Sequence, residues 1–104
     1  MIIQINTDKN IEGNGKFQDY FTSVLESKLG RYDKISRIEL HLSDENAGKE
    51  AHADKRCLLE ARLEGKQPIA VTNFAGTHEQ AVDGAIDKLK ASLDTILGKM
   101  KNYS

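Results

Sequence analysis

Three consecutive strands are predicted by RIELHLSDENAGKEAHADKRCLLEARLEGKQPIAVTNF, residues 37–74. Apolar and polar residues alternate in two runs, 37–42 and 56–63, and this period of two is typical of a strand with one buried face. Residues 64–66 make a tight connection to a third run. Pro68 opens that run, at a position where a proline removes no interior hydrogen bond of a sheet. Because the connections are short or hairpin-like, we expect an antiparallel meander.

Two helices are predicted, one on each side of these strands. Apolar residues recur every three or four positions from Lys16 to Leu29, and Gly30 stands where a left-handed residue often ends a helix. The members of this apolar stripe are Phe17, Tyr20, Phe21, Val24, Leu25 and Leu29. After the strands, Thr77-His78-Glu79-Gln80 has the pattern of a capping box, in which Thr77 accepts from the N–H of Gln80 and the Gln80 amide reaches back. A long apolar stripe follows and defines the final helix. Its members are Ala81, Val82, Ala85, Ile86, Leu89, Leu93, Ile96, Leu97 and Met100.

A short N-terminal strand, Met1–Thr7, completes the order β-α-β-β-β-α. Turn-forming residues follow it at 8–15, and the polar segment 43–54 is expected to be a loop. We therefore expect a single α+β domain over residues 1–104, long enough for one hydrophobic core. Its architecture is a two-layer sandwich, a four-stranded sheet with two helices packed on one face.

The composition indicates a soluble protein with little overall charge. Its 15 basic and 16 acidic residues give a net charge of −1, which excludes a globally basic nucleic-acid binder but not a local basic surface. The one cysteine, Cys57, forms no internal disulfide, and the N-terminus MIIQINTDKN lacks the features of a signal peptide. No segment is long and apolar enough for a membrane span. We expect a cytoplasmic protein without a membrane partner.

No constellation of residues predicts an enzyme. Cys57 alternates with apolar residues and is expected to be a small buried hydrophobe, without the base that would activate a nucleophile. The histidines are dispersed, with His41 on the polar face of a strand, His52 in the loop and His78 in the first turn of a helix. We expect no catalytic residue and no cofactor.

A metal or nucleotide site is equally unsupported. The loop acids lack the spacing of an EF-hand, and GNGK at 13–16 is too short for a phosphate-binding loop. A solvated acidic loop is the simpler interpretation. The loop residues considered as ligands are Asp44, Glu45, Asn46, His52 and Asp54.

Basic residues are grouped at the end of the first helix, at the start of the third strand and along the last helix. Two interpretations remain open at this point: a phosphate-binding surface, or solvated charges that neutralise one another across strands. Composition alone favours the second, because no aromatic residue interleaves with the basic groups. The candidate RNA-contacting residues are Lys28, Arg31, Lys34, Arg37, Lys55, Arg56, Lys88, Lys90, Lys99 and Lys101.

The chain as a whole resembles the short ribosome hibernation-promoting factor and ribosome-associated inhibitor family, also called sigma-54 modulation proteins. The resemblance rests on the β-α-β-β-β-α order, on RYDKISRIELHLS at 31–43 and above all on AVDGAIDKLKASLD at 81–94. The last segment resembles the family helix A-I-D-x-x-I-D-K-L-x-x-Q-L. The block at 41–65 looks characteristic of a divergent branch.

This resemblance implies a non-enzymatic factor that binds the small ribosomal subunit through ribosomal RNA phosphates and stores idle ribosomes under stress. Carried over by position, Lys28, Arg31 and Lys34 match the basic end of the first family helix, and Lys88 matches the lysine of DKL. Lys99 and Lys101 match the basic tail of the second helix. The chain departs from the family at 91–97, where members often carry further basic residues. We hypothesise that Lys55, Arg56 and Arg62 compensate for this departure.

A protein-binding regulator is the alternative. It would use the Arg/Glu-striped open face of the sheet, or the 43–54 loop, and would not need the ribosome. We expect no DNA partner in either case. The two hypotheses differ in salt dependence, because association through RNA phosphates weakens steeply with salt, whereas a mixed-charge protein contact weakens gently.

Overall fold

The chain forms a four-stranded sheet with both helices on one face. The computed structural model describes residues 1–8, 14–44 and 54–102, and side chains as far as residue 98. Within these residues the element order is β-α-β-β-β-α, and the predicted α+β fold class is confirmed. The elements are β1 (Ile2–Thr7), α1 (Gly15–Leu29), β2 (Ile35–Asp44), β3 (Lys55–Leu63), β4 (Ile69–Ala75) and α2 (His78–Asn102).

The strands lie in the order in which they occur along the chain. β2, β3 and β4 form the predicted antiparallel meander, whereas β1 pairs with β2 in parallel. A parallel pair requires a crossover, which α1 provides. One row of the sheet joins Ile5, Leu40, Leu59 and Val71 across all four strands. These residues point to the helices and form the centre of the inner face.

The alternation predicted for β2 and β3 is confirmed by burial. Leu40 and Leu59 on the inner face are completely buried, as is Cys57. On the outer face, residues directly opposite each other carry like charges: Arg37 faces Arg62, and Glu39 faces Glu60. The contacts of these charges are therefore not straight across: Arg37 lies 3.5 Å from Glu39 along β2, and His41 lies 4.0 Å from Glu60 on the diagonal to β3.

Helix α1 begins at a cap and ends at a glycine. The Asn14 side chain accepts a hydrogen bond from the Phe17 N–H at 2.9 Å, and Phe21, Leu25 and Leu29 are buried. The prediction of a left-handed Gly30 was wrong, because its φ is −61°. A Cβ at Gly30 would lie 2.5 Å from the carbonyl oxygen of Glu26, so close approach of the backbone explains this glycine.

Helix α2 begins at the predicted cap. The Gln80 N–H donates to the Thr77 hydroxyl at 3.1 Å. Further along the helix, a Cβ at Gly84 would collide with the Asn73 side chain of β4, whose amide donates to the carbonyl of Ala81 at 3.2 Å. Gly84 thus allows β4 and α2 to approach closely. The buried residues of α2 are Ala81, Val82, Ala85, Ile86, Leu89 and Leu93.

Strand β2 is longer than predicted. The sequence placed Ser43 and Asp44 in a loop, but both belong to β2, and Asp44 pairs with Lys55 in the sheet register. The Lys55 ammonium lies 3.1 Å from the Asp44 carboxylate, which holds the end of the strand pair together. The remainder of the expected loop, 45–53, lies outside the described residues.

Candidate functional site

The two helices lie side by side and run in the same direction. At their beginnings the rings of Phe17 and His78 have centroids 6.2 Å apart, and beyond the end of α1 the Tyr32 hydroxyl lies 2.9 Å from the Asp94 carboxylate. The basic end of α1 therefore lies beside the middle of α2. We call Lys28, Arg31 and Lys34 the junction patch, since they mark the junction between α1 and β2.

Lys28 is paired across the helices. Its Nζ lies 3.5 Å from Oδ1 of Asp83, and the two side chains are 44% and 56% exposed. An ion pair this exposed is worth about 0–1 kcal/mol. The contact orients Lys28 and leaves its ammonium group exposed to solvent. A phosphate can therefore replace Asp83 as the partner of this ammonium group.

Arg31 is held more firmly. Its Nη2 donates to the Tyr32 hydroxyl at 2.7 Å, the hydroxyl donates to Asp94 at 2.9 Å, and the guanidinium carbon lies 4.7 Å from the Tyr32 ring centroid. The Tyr32 side chain is buried and links the end of α1 to α2. A guanidinium has five N–H donors, so one bond to Tyr32 leaves others for an anion.

The remaining candidates of the helical layer differ in exposure. Lys34 is exposed in the turn before β2. Lys90 is partly buried on α2, in a stripe of that helix that also contains Asp83, Asp87 and Asp94. The junction patch thus faces an acidic stripe. Lys99 and Lys101 lie in the last turns of α2, and their side chains lie outside the described residues.

The structure does not bring the other candidate residues to the junction patch. Arg37 and Arg56 lie on the outer face of the sheet, opposite the helices. Arg37 donates to the Gln4 side chain and lies 3.5 Å from Glu39. Lys88 lies at the β4 side of α2, where its ammonium donates to the carbonyl of Thr72 at 2.8 Å. This bond binds the final helix to the edge strand.

Lys55 has two carboxylate partners at the end of the sheet near the helix beginnings. Its Nζ lies 3.1 Å from Asp44 and 3.2 Å from Asp54, and these side-chain hydrogen bonds raise the pKa of Lys55. Of the three carboxylates considered as metal ligands, Asp44 and Asp54 are therefore bound to an ammonium group. No group of metal-binding residues occurs in the part of the chain that the structure describes, and Glu45, Asn46 and His52 lie outside it.

Cys57 is the buried residue that the alternation predicted. It is fully buried in the core, and burial raises its thiol pKa to about 12. The thiolate is the reactive form of cysteine, and it is absent at neutral pH with such a pKa. Cys57 therefore packs as a hydrophobe.

His78 occupies a partly buried position at the beginning of α2. Burial lowers its pKa, and the Lys55 ammonium lowers it further, against the smaller opposite effects of Asp44, Asp8 and Asp54. Its Nδ1 atom is buried and has no hydrogen-bond partner among the described residues. The folded protein therefore disfavours the protonated imidazole.

We expect stability to fall as the pH drops below about 6.5, the ordinary histidine pKa. The unfolded chain takes up a proton at His78 in this range while the folded chain resists it, so acid favours unfolding. Urea unfolding at pH 7.5 and 5.5 should show a smaller loss for His78→Gln than for the wild type. His41→Gln is the matched control, and an equal loss in wild type and His78→Gln would contradict the assignment.

Two features of the helical layer were missed by sequence reasoning. The acidic partners of the junction patch come from α2, and their spacing at 83, 87 and 94 is visible in the sequence as one helical stripe. The second feature is Tyr20 on α1, which is 49% exposed although the apolar period assigned it to the buried stripe.

In the described part of the chain, neither helix has the length and apolarity that crossing a bilayer requires.

Comparisons with known proteins give a consistent result. A family model described as sigma 54 modulation protein / S30EA ribosomal protein matches residues 3–101. The N-terminal domain of protein Y from Thermus thermophilus is similar with a TM-score of 0.73 and 24% identity, over 92% of this chain and 99% of that one. A ribosomal subunit interface protein from Coxiella burnetii has a TM-score of 0.70 and 20% identity, over 94% and 99%. At these identities the two structures establish the fold alone. Curated protein sequences give no significant match.

Proposed function

Because the chain belongs to the sigma 54 modulation protein / S30EA ribosomal protein family, we propose that it is a ribosome-associated hibernation factor. Proteins of this family are binding factors and not enzymes. The factor binds the small subunit through ribosomal RNA phosphates in the cytoplasm and keeps idle ribosomes inactive under stress. The observation that carries the proposal is the family match over residues 3–101.

The junction patch is the surface that best suits this function. Its cations lie on the helical layer, where Lys28 and Lys34 are exposed and Arg31 is oriented by Tyr32. Such residues bind the phosphate backbone and position the protein without reading base sequence. Specificity then comes from the fit of the domain into a folded ribonucleoprotein.

Electrostatic competition limits the affinity. Asp83 and Asp94 lie beside the cations that RNA would contact, so a phosphate must displace or tolerate a carboxylate. Binding through a small number of phosphates is weaker and less salt-dependent than binding through many. Such an interface suits a reversible association with idle ribosomes.

The test is cosedimentation with ribosomes through sucrose at low and moderate salt. We expect the wild type to comigrate with the small subunit, and Lys28→Glu/Lys34→Glu to weaken association by roughly tenfold or more. The slope of log affinity against log salt should become shallower by about 1.5. Arg62→Glu reverses one exposed charge on the outer face of the sheet and should bind like the wild type, which would also exclude the compensation considered for Arg62.

A protein-binding regulator is the second candidate, and the outer face of the sheet favours it. No helix covers this face in the described chain, Phe74 is 50% exposed, and Leu58 is partly exposed beside it. If this function is correct, binding of the protein to its partner should weaken only gently with salt. The Lys28→Glu/Lys34→Glu variant should then bind that partner like the wild type. That pair of results would contradict the ribosomal proposal.

A further inference from the structure

A cleft opens between the beginnings of the two helices. Its volume is about 520 Å³, which is within the range of small-ligand sites. Lys16, Phe17 and Tyr20 form the wall on α1, and Thr77 and Glu79 line the opposite wall. The cleft shares the helical layer with the junction patch, whose contacts with α2 are made further along α1.

Aromatic rings form the floor of the cleft. The Tyr20 ring packs edge-to-face on Phe21 with centroids 5.0 Å apart, and Phe17 packs on Phe21 at 4.9 Å. Phe21 is buried, whereas Tyr20 keeps about half of its surface in solvent. The Tyr20 ring therefore packs against the core and still has enough exposed surface to stack with a planar ligand.

Lys16, beside the cleft, lies at the opposite end of α1 from the junction patch. Lys16, Tyr20 and Ser27 fall on one stripe of α1 at helical spacing, and Arg31 lies beyond the end of the helix. Lys16 and Lys28 are separated by about 18 Å along the axis, from the helical rise per residue. A cation thus lies next to the exposed aromatic ring, and Lys28 lies near the other end of the same helix.

We propose that this cleft binds one unpaired nucleotide of RNA, with its base stacked on Tyr20 and its phosphate on Lys16. Aromatic side chains beside a basic track are the usual platform for single-stranded nucleic acid. Glu79 repels phosphate from the opposite wall, which orients the nucleotide toward Lys16. The proposal deepens the proposed function and rests on RNA binding by the helical layer. It adds a contact between Tyr20 and an RNA base to the contacts proposed between the junction patch and the RNA backbone.

The test compares a six-nucleotide single-stranded RNA with inorganic polyphosphate, which has the charge but no bases. Tyr20→Ala should weaken RNA binding about 5- to 100-fold and leave polyphosphate binding unchanged, because only stacking is lost. Tyr20→Phe keeps the ring and should bind within about twofold of the wild type. Phe74→Ala removes an equally exposed ring from the outer face and should have no effect. Thermal melts confirm that each variant is folded.

The results separate this proposal from the proposed function. Equal RNA binding by Tyr20→Ala and the wild type, or an equal loss of polyphosphate binding, would overturn the stacking site. Binding of an apolar peptide that depends on Tyr20, with RNA binding independent of it, would assign the cleft to a protein partner. If the wild type fails to sediment with ribosomes but its RNA binding depends on Tyr20, the nucleotide site stands and the ribosomal function fails.

Discussion

Leu59→Ala is expected to lower the free energy of unfolding by about 2–5 kcal/mol, whereas Leu58→Ala should lower it by less than about 1 kcal/mol. The two leucines are neighbours in β3 and point to opposite faces of the sheet. Leu59 is completely buried between Leu40 and Val71, so its truncation leaves a cavity under the helices. Leu58 is partly exposed on the outer face and leaves none.

Urea unfolding of both variants and the wild type measures this difference. Both changes are Leu→Ala at neighbouring positions of one strand, so the change in β-propensity cancels and the difference reports the packing under the helices. Equal losses at the two positions would mean that the outer face is also covered in solution. A loss at Leu58 that grows with protein concentration would identify the cover as a second copy of the chain.

The faces of the sheet were predictable because a period of two is a local property. Burial of Leu40, Cys57 and Leu59 follows directly from the alternation in the sequence. The errors arose where a contact that the pattern does not show decides, between strands for Asp44 and within the last turn of α1 for Gly30. Asp44 extends β2 because Lys55 pairs with it, and Gly30 is explained by its approach to the carbonyl of Glu26.

The candidate site was less predictable for the same reason. The cations at the end of α1 are close in sequence, but Asp83 and Asp94 reach them only because the helices lie parallel and adjacent. The acidic stripe on α2 is visible in the sequence. That this stripe lies beside the basic end of α1 is not. In the sequence, Tyr20 likewise belongs to the apolar stripe of α1. In the structure it lies at the edge of the core, where its ring packs on Phe21.

Tyr32→Ala is expected to lower the free energy of unfolding by about 3–5 kcal/mol. The residue is 7% exposed and fills the junction between α1, β2 and α2. Tyr32→Phe keeps the ring and its contact with the Arg31 guanidinium, but removes the hydroxyl that joins Arg31 to Asp94. We expect the phenylalanine variant to lose only about 1 kcal/mol, the typical contribution of a hydrogen bond.

Comparison of the two variants separates the structural role of Tyr32 from its role in the junction patch. In Tyr32→Phe the charge of Arg31 remains, so ribosome association should keep its salt slope and change by only a fewfold. A large loss of association in this variant, with stability nearly unchanged, would mean that the orientation of Arg31 matters more than its charge. If both variants unfold at the same urea concentration, the hydroxyl network carries the stability that we assign to the ring, because the ring is the group that only Tyr32→Ala removes.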